Sequence, residues 1–93
     1  MSFPFPIGPD MIVAVRPDVE EAELYWLANV VEIEAAGKVK VRWYTFDAET
    51  HVYSLSKTKP QSIQMGSVIF SPIQLSSEGE LLALSEEKIL KYL

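Results

Sequence analysis

The sequence predicts a mainly β fold, a small barrel of five to six strands with one short C-terminal helix. Three observations carry this reading. The apolar residues come in short β-branched and aromatic runs bounded by Gly, Pro, Asp and Ser. Two of these runs flank the glycine turn Ala35-Ala36-Gly37 at hairpin spacing. Near the end, Ser85-Glu86-Glu87-Lys88 carries the charge order of a helix start. A chain of 93 residues is one domain with a modest core. Its 48% hydrophobic content is too high for disorder, and no apolar run reaches the roughly 18–20 residues of a membrane span.

Residues 1–9 read as an extended lead-in, because Pro4, Pro6 and Pro9 prevent helix, and Phe3 and Phe5 alternate so as to dock on the domain edge. Residues 10–93 form the domain. Met11 to Arg16 is a β-branched first strand, followed by the acidic loop Pro17 to Glu23. Leu24 to Glu34 is a long second strand with Trp26, Ala28 and Val30 on one face and Leu27, Val31 and Ile33 on the other, so it serves two sides of a core. Lys38 to Phe46 returns through the hairpin, with Val39, Val41 and Trp43 buried and Lys40, Arg42 and Tyr44 wet. Asp47 to Thr50 is a polar connection, His51 to Ser56 a short fourth strand, and Lys57 to Ser62 a loop. Ile63 to Leu75 is extended, with Gly66 marking a bulge and Pro72 an edge or bulge.

The end allows two readings. Ser77 and Glu80 fit a capping box that starts a helix reaching Leu93. The preferred alternative turns at Ser76–Gly79, pairs Glu80 to Leu84 in a second hairpin, and caps a helix over about 86–93 with Ser85. Leu84 then staples onto Ile89, and Leu90 and Leu93 share its apolar stripe.

Composition excludes more than it assigns. Eight Lys and Arg against 13 Asp and Glu give a formal charge of −5, which disfavours nucleic acid and suits a basic partner. The stripe Lys38-x-Lys40-x-Arg42 beside Tyr44 is a weak nucleic-acid candidate against that net charge. Without cysteine there are no disulfides, Cys-ligated zinc or thiol nucleophiles, and His51 is the single histidine. No phosphate loop, nucleophile elbow or metal-loop spacing occurs, so neither catalysis nor a cofactor is expected. The opening residues lack a signal peptide's basic and apolar regions, so an intracellular setting without membrane attachment is expected.

Five or six short bent strands with a terminal helix fit an SH3-like barrel. Tyr25-Trp26-Leu27-Ala28-Asn29-Val30-Val31-Glu32-Ile33, followed by Gly37-Lys38-Val39-Lys40-Val41-Arg42-Trp43-Tyr44, resembles the second and third strands of Tudor, chromo-barrel and bromo-adjacent (BAH) domains. Val41 to Tyr44 with Asp47 to Thr50 is most similar to the BAH pattern, and Gly8 to Val15 resembles the Gly-Asp-x-Val lead into the first strand, with Pro9 inserted. A looser similarity is to barrel-like segments of mobile-element polyproteins.

The resemblance implies a chromatin-associated, and so nuclear, reader of methylated lysine, in which aromatic faces attract an alkylated cation. It carries the aromatic positions over to Trp26, Tyr44 and Phe46, with Tyr53 as a further wall, and gives acidic steering to Asp18, Glu20, Glu21, Asp47 and Glu49. Pro17 to Glu23 departs from the pattern in having no aromatic residue. Each feature has an ordinary role beside this one. Trp43 is read as core and Trp26 as core first, whereas Tyr44 is exposed by alternation. The expected function is a non-catalytic module that binds a basic peptide or protein segment, with or without methylated lysine. The alternative is an assembly module of a larger protein, docking through the Ile63–Leu75 edge and the C-terminal helix.

Overall fold

The computed structural model describes residues 6–17 and 25–92. Six strands, β1 (Ile12–Val15), β2 (Trp26–Ile33), β3 (Lys38–Asp47), β4 (Val52–Leu55), β5 (Gln61–Gln64) and β6 (Val68–Ile73), precede one helix, α1 (Ala83–Lys91). All pairings are antiparallel, in the order β4-β3-β2-β1-β6, with β5 added on β3. The ten residues of β3 give it three partners along its length: β2 over Val39–Trp43, β5 over Lys38–Val41 and β4 over Tyr44–Asp47.

The fold is thus mainly β with a short C-terminal helix, and among the described residues the ladders form an open sheet, not a closed ring. Around Gly66, Met65–Ser67 forms a 3-10 turn instead of the expected bulge, which divides the extended segment into β5 on β3 and β6 on β1. Backbone bonds from Arg16 N to Ser67 O and from Met65 N to Gly37 O, both 2.8 Å, hold the turn against neighbouring strands. Gln61 and Ser62, expected in a loop, belong to β5. Pro72 lies exposed on β6, which ends the strand order as Pro72 requires.

Two apolar layers form because the strands are covered on both faces. Val13, Val15, Ala28, Val30, Val39, Val41 and Val68 make the first, against which Ile7, Trp43 and Ile63 pack. Ala14, Leu27, Ile69, Ile73 and Ile89 make the second, with Tyr25, Tyr44 and Tyr53 at its border. The two-sided reading of β2 therefore holds for Leu27, Ala28 and Val30. It fails beyond them: the register steps from Val30 opposite Val41 to Glu32 opposite Lys40, and this bulge leaves Val31 and Ile33 exposed. The hairpin beyond closes through Ala36 and Gly37, both at positive φ (63° and 73°), with Glu34 N donating to Lys38 O.

The C-terminal region departs from both sequence readings. Ser76–Gly79 does turn, with Gly79 at φ 91°, but the second hairpin is reduced to the Leu75–Leu81 bridge, and Glu80 bridges Val52 of β4 instead. The helix begins at Ala83 rather than near 86, and Ser85 lies inside it, not at its cap. Its hydroxyl accepts from Gln74 N at 3.0 Å, which ties the helix to the end of β6. Leu84 is 63% exposed and does not staple onto Ile89; Leu90 is exposed too, so Ile89 is the apolar residue α1 buries fully. In the lead-in, Ile7 packs on the first layer and Ser71 Oγ donates to Pro6 O at 2.5 Å. Phe3, Phe5 and Leu93, assigned docking roles from sequence, lie outside the described residues.

Candidate functional site

The end of β3 that carries Tyr44 and Phe46 meets β4 in a register that sets Phe46 directly opposite Tyr53. Their ring centroids are 4.7 Å apart. On β3 these side chains fall on the face opposite Val41 and Trp43, as period-two alternation requires. The tight turn Asp47–His51, closed by His51 N donating to Asp47 O at 2.7 Å, returns the chain so that the His51 ring stands 5.9 Å from Phe46. From β2, Trp26 meets Trp43 edge to face at 5.5 Å, and Trp43 Nε1 donates to Gln61 Oε1 at 3.0 Å.

Together these elements bound a groove of about 490 Å³. Trp26, Tyr44, Phe46 and Tyr53, the four aromatic residues singled out from sequence, all line it. Trp26 and Tyr44 also border a smaller adjoining cleft with Trp43. All four are only partly buried, and Phe46 is 45% exposed, so ring faces remain open to solvent.

Its electrostatics are one-sided. Glu80 and Glu86 line the groove, neither forms an ion pair among the described residues, and no Lys or Arg shares the lining. The Tyr25 phenol at its floor is held well above the ordinary tyrosine range, first by burial, then by Tyr53, which also hydrogen-bonds to it, and by the Glu86 charge. Burial alone raises Tyr44.

The acidic residues expected to steer a ligand are not those in place. Asp47 Oδ1 accepts from Glu49 N at 2.8 Å and Thr50 N at 3.4 Å, so this carboxylate shapes the turn. Neither Asp47 nor Glu49 lines the groove. Asp18, Glu20 and Glu21 lie outside the described residues.

Sequence reasoning missed Tyr25, Leu27, His51, Glu80, Leu81 and Glu86 as lining residues. Tyr25 was recoverable, since alternation puts it on the face of Leu27. No local signal brings Glu80 or Glu86 to the strands, because their placement depends on the Val52–Glu80 bridge and on the docking of α1. Of the basic stripe Lys38 is exposed, but Lys40 Nζ lies 3.2 Å from Glu32 and 4.0 Å from Glu34, and Arg42 is half-buried with its Nε enclosed. The expectation of a wet outer face on β3 is corrected accordingly, since Lys40, Arg42 and Tyr44 are all partly covered.

Among the described residues, no group of three or more His, Asp or Glu side chains could hold a metal ion, and no helix is long and apolar enough to cross a membrane. Comparison with known proteins finds no matching family model, no matching curated protein and no matching solved structure.

Proposed function

We propose that this chain is a non-catalytic binding module of the SH3-like type that takes a basic peptide or protein segment, with the alkylated lysine of a chromatin tail as the favoured ligand. The observation that carries the reading is the convergence of Trp26, Tyr44, Phe46 and Tyr53 on one groove whose charged lining is Glu80 and Glu86. Aromatic faces attract a cation most when it sheds its water readily, as an alkylammonium does, and nearby carboxylates add long-range attraction. At about 490 Å³ the groove is of the size that holds one side chain and its flanks. The succession β1-β2-β3, then β5, a 3-10 turn and β6 back on β1, supports the SH3-like comparison.

Titration of isotope-labelled protein with trimethyllysine and unmodified lysine peptides tests the proposal. Shifts concentrated at Tyr44, Phe46 and Tyr53, stronger for the alkylated peptide, are expected. No shift at millimolar peptide rejects it. A second reading, an assembly module of a larger, mobile-element-derived protein, draws support from Leu84 and Leu90, exposed by 63% and 47% on α1. It requires concentration-dependent sedimentation that Leu84→Asp and Leu90→Asp abolish.

A further inference from the structure

We infer that α1 completes the cation site: Glu86 supplies a carboxylate that the sheet does not, and the groove is competent only while the helix is docked. The inference rests on the reading of the groove as a cation site and adds to it a specificity residue and an internal control element.

The geometry separates the helix from the rest of the fold. The first apolar layer contains no residue of α1, so the strands have a core of their own. The helix enters only the second layer, through Ile89, which is fully buried. Further contacts are the Ser85 hydroxyl on Gln74 N, the stacking of Tyr92 on Phe70 with ring centroids 5.4 Å apart, and Lys88 Nζ over the Phe70 ring at 5.9 Å. Nine residues are too few for a helix to persist in water by itself, so an undocked α1 is an unfolded α1.

Its docking has a direct consequence for the groove. Glu86 lies one residue after buried Ser85 and one turn before Ile89, and this anchoring delivers into an aromatic lining a carboxylate that has no ion pair among the described residues. The Tyr25 phenol feels that charge, which ties the helix electrostatically to the floor of the groove. Undocking removes the carboxylate from a groove whose described lining includes no Lys or Arg. By linkage, a cation bound in the groove must in turn favour the docked helix.

Two measurements on the full chain test this. Without ligand, Ile89→Ala should speed amide exchange across α1 and move Tyr25 ionisation back toward that of an ordinary tyrosine, read by NMR of isotope-labelled tyrosine, while Val39 and Val41 amides stay protected. Ser85→Ala, a milder release, should do so in part should Ile89→Ala unfold the chain. With tetramethylammonium as probe, Glu86→Gln should weaken binding about fivefold or more, and Glu87→Gln, which alters charge on the same helix outside the groove, should not. An Ile89→Ala protein with exposed helix amides but unchanged probe affinity overturns the inference, as does a Glu86→Gln protein that binds like the original. Failure of the unsubstituted chain to bind any alkylammonium rejects the function proposed for the groove instead; helix control then stands or falls on the tyrosine titration.

Discussion

Phe46 and Tyr53 face each other across the β3–β4 ladder with ring centroids 4.7 Å apart, although Phe46 is 45% exposed. An aromatic pair positioned by its strands yet left open differs from one placed to fill a core. Trp43 illustrates the contrast, packing against the first layer and bonding Gln61 through its indole N–H.

Phe46→Ala should therefore separate binding from stability. The lost cross-strand contact is worth about 1 kcal/mol, a small shift in a urea midpoint. Affinity for a trimethyllysine peptide should fall at least tenfold by NMR titration. A large stability loss with binding intact would assign Phe46 to the core.

The two apolar layers should respond in kind but report different things. Leu27→Ala, at 1% exposure in the second layer, should cost about 3 kcal/mol in denaturant unfolding. Val41→Ala, fully buried in the first, should cost about 2 kcal/mol, because a smaller side chain is truncated. Only the first change alters the layer shared with α1, so it should also raise amide exchange in the helix.

Gly79→Ala tests the turn that carries Glu80 to the groove. An added Cβ would lie 2.6 Å from Tyr53 O and 3.0 Å from Val52 Cγ1, at φ +91°. Backbone strain and the clash together predict a loss of about 2 kcal/mol in thermal or urea unfolding, with NMR shifts at Tyr53 and Glu80. At Gly66 nothing stands within 4 Å of an added Cβ and φ is not positive, so Gly66→Ala should be nearly neutral.

Alkaline pH should expose the tyrosine floor. Tyr25 is raised chiefly by burial, then by Tyr53 and Glu86, and Tyr44 by burial. A raised phenol keeps in the folded chain a proton that the unfolded chain has released, so its stabilising contribution is complete below pH about 10 and declines as pH rises above it. Denaturation followed between pH 9 and pH 12 should show this decline, and Tyr25→Phe should flatten it. Stability that rises over the same window would contradict the buried, hydrogen-bonded phenol.

How far this was legible in the sequence differs by feature. Hairpin turn, strand alternation and aromatic positions are local, repeating patterns, and the hairpin between β2 and β3 follows them up to the bulge after Val30. The helix start is not. Ser85 has the local chemistry of a cap, but a distant donor, Gln74 N, outcompeted that role for its hydroxyl. Asp47 likewise looked like a free carboxylate and is bound to the turn that follows it.

By itself the sequence determined a small acidic β domain, its hairpin, the valines of the first layer and the four rings worth attention, because period-two alternation and turn chemistry act over a few residues. Tertiary structure decided the open sheet, the division at Met65–Ser67, the second apolar layer and the arrival of Glu80 and Glu86 beside those rings. Those depend on contacts between residues far apart in the chain, whose formation is settled by which packing of the whole chain covers most apolar surface while pairing every buried backbone group.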